Sequence, residues 1–100
     1  MYDLINRKDK FQTLNKRVIA IYYISIDKHL YIGSTEDFCN RIRQHRHSLV
    51  NNKHYNNFIQ RSYNKYNIAR FGILQEIEYL DNKDELFTIE AKWIDLLKAD

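Results

Sequence analysis

The stretch VIAIYYISIDKHLYIG, residues 18–33, decides the fold. From Val18 to Ile26 it is rich in β-branched and aromatic residues, which argues for a strand. Asp27-Lys28 then breaks the apolar run and reads as a two-residue turn, although it lacks the usual glycine. His29 to Ile32 forms a second short strand that runs into Gly33. A glycine there marks either a positive φ or the close approach of another group. Tyr22 and Tyr31 consequently lie on adjacent strands joined by a short turn.

Downstream, Ser34 or Thr35 is suited to cap a helix, with Glu36 and Asp37 in its first turn at the positive end of the helix dipole. Along that helix Phe38, Ile42 and Leu49 share one face. Arg41 and His45 stand one turn apart at i, i+4, His45 inside the apolar arc and Arg41 at its edge. Arg43, Arg46 and His47 point elsewhere. A second helix is expected over Asn57–Tyr66, with Ile59, Tyr63 and Tyr66 on one face. Residues 70–79 (RFGILQEIEY) read as a third strand. Residues 83–99 read as a last helix with Leu86, Ile89, Trp93, Leu96 and Leu97 facing inward and Glu90 at the edge of that face. The order is ββααβα, an α+β architecture. Residues 1–17 have no clear period and read as an extension or a frayed helix; residues 18–100 form one unit without repeat or linker.

A chain of 100 residues fits a single domain with a modest core. No apolar run approaches the roughly 20 residues needed to span a bilayer, and the polar N-terminus does not resemble a signal peptide, so no membrane partner is expected. The single Cys39 has no intrachain partner and fits a reducing, intracellular compartment, with packing on a helix as its role. There is no zinc-type Cys/His spacing, and with Gly33 and Gly72 as the only glycines a glycine-rich phosphate cradle is excluded.

Charge is distributed unevenly. The net +3 divides into +1 over residues 1–37, +7 over residues 38–75 and −5 over residues 76–100. The central block has seven Lys/Arg (Arg41, Arg43, Arg46, Lys53, Arg61, Lys65 and Arg70) and no acid. A polyanion-facing surface has that character, because it attracts phosphates and releases their counterions. A solvated helix face has it too, so charge points toward nucleic acid without establishing it.

Taken singly, the strand tyrosines, the helix arginine and the helix histidine are ordinary packing or snorkelling residues. Together and in this order they resemble the GIY-YIG nuclease family, most closely the catalytic domain of phage and intron-encoded homing endonucleases. The name-giving motif reads Ala20-Ile21-Tyr22 and Tyr31-Ile32-Gly33. Arg41 and His45 match the second motif, the segment from His54 through Gln60-Arg61-Ser62-Tyr63-Asn64-Lys65 resembles a third, and Glu90-Ala91-Lys92-Trp93-Ile94 matches the last.

The resemblance implies a small three-stranded antiparallel sheet flanked by helices, with the active site on one side. It implies a metal-dependent endonuclease that hydrolyses a DNA phosphodiester, leaving 5′-phosphate and 3′-hydroxyl ends. Tyr22, Tyr31, Arg41, His45, His54 and Glu90 would be catalytic, and Glu90 would hold one Mg²⁺ or Mn²⁺ ion. Gly33, Arg43, Arg46, Lys53, Arg61 and Lys65 would meet the nucleic acid. Specificity would come from a separate DNA-binding domain or partner chain, and an Ile-, Asn-, Lys- and Tyr-rich composition suits a phage or organelle setting.

Two departures stand out. Ala20 replaces the family's first Gly, and the Asn that usually follows the last helix is not met before Asp100. Both features also suit a second reading, a degenerate domain kept as a structural or RNA-binding subunit of a ribonucleoprotein.

Overall fold

The computed structural model describes Tyr2–Asp3 and residues 17–98. The elements are β1 (Tyr2–Asp3), β2 (Ile19–Ile26), β3 (His29–Thr35), α1 (Phe38–Val50), α2 (Asn57–Tyr66), β4 (Arg70–Ile77) and α3 (Lys83–Leu97). The strands form one antiparallel sheet in the order β1-β4-β2-β3. The expected three-stranded sheet is β4-β2-β3, and the expected order ββααβα follows from β2 onward. Tyr2–Asp3 corrects the reading of the N-terminal stretch, since it pairs as a short strand with Arg70 and Phe71. The remainder of that stretch up to residue 16 lies outside the described residues, as do residues 99–100.

The continuous apolar run of β2 is explained by its central position, where both faces are covered. Ala20, Tyr22, Ile24 and Ile26 enter one cluster with Phe38, Ile42 and Leu49 of α1, Ile59 of α2 and Phe71 of β4. Ile21 turns the other way and packs with Ile32 and Leu86, backed by Ile89, Trp93 and Ile94 of α3. The sheet thus has α1 and α2 on one face and α3 on the other.

The β2–β3 turn works without glycine because Asp27 adopts φ 53°, a left-handed value that Asp tolerates. Opposite Tyr22 the β4 register slips: Ile21 pairs with Gln75 and Tyr22 with Ile73, leaving Leu74 as the extra residue of a bulge. This keeps Gln75 on the α3 face, where its Oε1 accepts from Trp93 Nε1 at 2.9 Å.

Several local expectations are revised. β3 continues through Gly33 to Thr35, so neither Ser34 nor Thr35 caps α1. Asp37 is the cap, its Oδ1 accepting from the Asn40 amide, while Thr35 Oγ1 accepts from the Asp37 amide. Tyr66 ends α2 at 40% exposure, and Leu96 and Leu97 in the last turn of α3 are 70% and 41% exposed, so these ends overhang the core. The face of α3 that packs inward is Leu86, Ile89, Trp93 and Ile94. Cys39 is buried on α1, as a packing residue should be. Among the described residues no helix is long and apolar enough to cross a membrane.

Candidate active site

Tyr22 lies mid-strand on β2, 1% exposed, with its ring over Gly33 of β3. A Cβ at residue 33 would stand 2.5 Å from the Tyr22 hydroxyl oxygen and 2.6 Å from Cζ, so only glycine admits the ring. Of the two meanings a strand glycine can carry, close approach is the one realised. Among the described residues no glycine has a positive φ. Gly33 is itself buried, and the group packed on it is the Tyr22 ring. Tyr31, two residues earlier on β3 and on the same face, has its ring centroid 6.3 Å from that of Tyr22.

The helical spacing of α1 brings His45 under both tyrosines, with ring centroids 5.5 Å from Tyr22 and 5.4 Å from Tyr31. A hydrogen-bonded chain then leads away from Tyr22. Its Oη lies 2.6 Å from His45 Nε2, and His45 Nδ1 lies 2.8 Å from His54 Nε2. His54 Nδ1 accepts from the Asn56 backbone amide at 3.0 Å. That amide can only donate, so Nδ1 of His54 is the bare nitrogen and Nε2 of a neutral His54 holds the proton. The same logic passes to His45, which must accept at Nδ1 and carry its proton on Nε2. Tyr22 therefore receives a hydrogen bond from His45, and its own proton is directed away from the histidines.

Burial keeps both rings neutral. It pushes His45 down to about 3, with His54 and Arg41 adding to the effect, and it lowers His54 as well. Unfolded histidine protonates near pH 6.5, so the unfolded state binds more protons than the native state below that pH. Stability is expected to fall from pH 6.5 downward, by about 2 kcal/mol at pH 5 from His45 alone. Urea melts of the wild type and His45→Gln at pH 7.5 and pH 5 check this. The variant should lose less stability over the interval.

The tyrosines shift oppositely. Burial raises the Tyr22 hydroxyl well above the usual phenol range, Tyr55 and Glu90 push the same way, and Arg41 and a bond with Tyr31 oppose them. Tyr31 is also raised, by burial and then by Tyr22 and Tyr55. These influences place the Arg41 and Glu90 charges within electrostatic reach of Tyr22, from α1 and α3 respectively. Both side chains are half-buried. Among the described residues an ion pair joins Lys83 to Glu36, and neither Arg41 nor Glu90 is neutralised by such a partner.

Of the residues expected in the site, Tyr22, Tyr31, His45 and His54 meet directly, while Arg41 on α1 and Glu90 on α3 are within electrostatic reach of Tyr22. Arg43, Lys53, Arg61 and Lys65 are exposed around this core. Arg46 is half-buried and engaged in an interaction of its own.

Three further residues belong to the site without having been given a role from the sequence. Tyr55, 67% exposed, hydrogen-bonds its hydroxyl to that of Tyr31 and stacks on His54 with centroids 4.6 Å apart. Asn56 sets the tautomers through its amide and caps α2 through its side chain, accepting from the Phe58 and Ile59 amides. Gln60, buried, accepts the His54 backbone N–H at 3.0 Å and donates to the Leu49 carbonyl at 3.0 Å, tying the loop to the end of α1. Only adjacence to His54 hinted at the first two. A glutamine on an apolar helix face was the signal for the third.

A Tyr22–His45–His54 chain on an antiparallel sheet flanked by helices is the setting in which the motif residues of the GIY-YIG family meet. The chain belongs to that family: the GIY-YIG catalytic domain matches residues 18–100. It is 35% identical over 83 residues to intron-associated endonuclease 1 of Enterobacteria phage T4, covering 80% of this chain and 33% of that protein. The chain thus spans about a third of that relative's length. It is also similar to the solved catalytic domain of the homing endonuclease I-TevI, with a TM-score of 0.72, 34% identity, and coverage of 80% of this chain and 88% of that one.

Proposed function

We propose that the chain is the catalytic domain of a metal-dependent DNA endonuclease of the homing type. The observation that carries this reading is the buried Tyr22 hydroxyl, 2.6 Å from His45 Nε2, with His45 Nδ1 in turn 2.8 Å from His54 Nε2, in a chain of the GIY-YIG family.

Among the described residues no group of three or more His, Cys, Asp and Glu forms a metal cage. A single carboxylate suits Mg²⁺ or Mn²⁺, hard cations that keep several waters, and Glu90 is the residue to hold one. When bound, such an ion supplies Lewis-acid stabilisation of charge on the phosphate and the leaving oxygen. Arg41 presents a planar, permanently charged donor fork to the non-bridging oxygens. A tyrosinate of the pair, formed by prior loss of its phenol proton to solvent, takes the proton of the attacking water: Tyr31 is the more open member, and Tyr22 behind it accepts a hydrogen bond from the His45 N–H. His54 acts through His45, by holding its tautomer. Gly33 contributes as the seat of Tyr22. Arg43, Lys53, Arg61 and Lys65 provide exposed phosphate contacts, with Arg46 a partly covered fifth. Hydrolysis at phosphorus then leaves 5′-phosphate and 3′-hydroxyl ends. Specificity is assigned to a separate DNA-binding domain or partner chain.

The pH dependence has a definite sign. Both phenols titrate above their ordinary value, so the deprotonated fraction rises about tenfold per pH unit across the neutral range. The single-turnover rate should climb with a slope near one, and no histidine limb should be seen around pH 6.5, because His45 and His54 are already neutral there. A bell centred near neutrality would contradict these assignments.

The functional test is nicking of supercoiled plasmid with Mg²⁺ and with chelator, followed by DNA ligase. Metal-dependent nicks that ligase reseals support the proposal. Salt-sensitive binding of DNA or RNA without nicking would support the scaffold or ribonucleoprotein reading instead.

A further inference from the structure

Beyond the tyrosine cluster, the same face of β3 leads to a second feature. Residues 33, 31 and 29 alternate onto the face shared with Tyr22, Ile24 and Ile26, their cross-strand partners. Gly33 seats Tyr22, Tyr31 meets Tyr55, and His29 meets Phe58 of α2 edge-on at 4.4 Å between centroids. His29 lies about 7 Å along the strand from Tyr31. That is the rise of about two nucleotides in a stacked strand at roughly 3.4 Å each.

At this point a groove of about 190 Å³ opens, lined by His29, Phe58, Arg61, Ser62, Lys65 and Tyr66. Phe58, Arg61 and Lys65 follow one another at i, i+3, i+7 on α2 and form a single exposed stripe. Phe58 is 49% and Tyr66 40% exposed, which leaves aromatic surface between two cations. The Lys65 ammonium already lies 5.3 Å from the Tyr66 ring centroid. No acidic residue lines the groove, and none occurs anywhere from residue 38 to residue 75. Cations interleaved with open aromatic faces suit a single nucleic-acid strand, whose phosphates take the charges and whose bases stack.

We propose that this groove is a second DNA subsite, holding the strand about two nucleotides from the scissile phosphate. Arg61 and Lys65 contact its phosphates and Phe58 supports a base. The inference rests on the nuclease reading above and extends it, because it assigns a place to the flanking strand and a base contact that charge alone does not supply. His29 at the groove and Tyr31 at the tyrosine site share one face of β3, so one strand running along that face would reach both.

The test is fluorescence anisotropy with a labelled single-stranded DNA oligonucleotide across a salt series, in a Glu90→Gln background that suppresses cleavage. The Arg61→Ala/Lys65→Ala pair should lower the log Kd against log salt slope by about 1.4, the value for two lost single-strand phosphate contacts. Phe58→Ala should leave the slope unchanged and weaken binding about fivefold to a hundredfold. Lys92→Ala, on α3, is the control and should alter neither.

A double variant whose slope changes no more than that of Lys92→Ala would overturn the subsite, as would a Phe58→Ala chain that binds like its parent. If the wild type nicks plasmid yet the groove variants bind as the Glu90→Gln parent does, the subsite fails alone. If the parent shows no salt-dependent DNA binding, or binds the matching RNA more tightly, both the subsite and the DNA reading fail. Thermal melts of each variant exclude unfolding as the cause of any loss.

Discussion

Arg41→Ala is expected to slow plasmid nicking by about a hundred- to a thousandfold, the usual cost of removing one donor aimed at developing charge. Glu90→Gln should cost at least as much, because it removes the single carboxylate available to a divalent ion while preserving shape. Both side chains are half-buried and outside any ion pair among the described residues, so neither substitution breaks a stabilising pair. Melting temperatures should move little while rates collapse. The variants should also differ from each other: raising Mn²⁺ or Mg²⁺ should partly restore Glu90→Gln and leave Arg41→Ala unimproved. Nicking by either variant at the parental rate would remove its residue from the site.

Gly33→Ala is expected to damage stability and activity together. Its Cβ would stand 2.5 Å from the Tyr22 oxygen, and Tyr22 cannot give way, being 1% exposed and wedged against the Phe38 and His45 rings. Overpacking of this kind costs about 1–3 kcal/mol, a fall in Tm on the order of 10 °C for a domain of this size. The displaced ring also loses its bond to His45, so nicking should fall further than the folded fraction does.

Gly72→Ala provides the comparison. Its Cβ would meet Tyr23 at 2.6 Å, a similar clash with a ring that packs into the α3-side cluster. That variant should lose stability yet keep most of its activity per folded molecule. Equal specific activity in the two variants would show that the seat of Tyr22 is structural only.

The strands, the helices and the placing of Tyr22 and Tyr31 on adjacent strands were legible because periodicity and β-branched composition act locally. The α2 bounds were read as Asn57–Tyr66 and are found there. The inward facing of Leu96 and Leu97 was misread, since a helical pattern does not reveal where the sheet beneath it ends. The α1 cap was displaced from Ser34 or Thr35 to Asp37 because sheet pairing held β3 together for two residues past Gly33. A two-residue strand at Tyr2–Asp3 is too short to have a period, and it is fixed by its partner on β4.

In the site, the family pattern brought out the residues on regular elements. It gave no role to Tyr55, Asn56 and Gln60, although the third segment runs through them, because their importance lies in contacts made across the α1–α2 connection. The tautomer chain from Asn56 to Tyr22 depends on three distances in space and has no signature in spacing along the chain.

The central claim is that the buried tyrosine, polarised by His45, is part of a working nuclease centre. The most direct test is the single-turnover nicking rate of the wild type and Tyr22→Phe in Mg²⁺, with circular dichroism confirming equal folding. The variant keeps the ring over Gly33 and loses only the hydroxyl. A loss of about a hundredfold or more is predicted, the usual scale of acid–base assistance. Nicking by Tyr22→Phe at the wild-type rate, with the same pH slope, would contradict it.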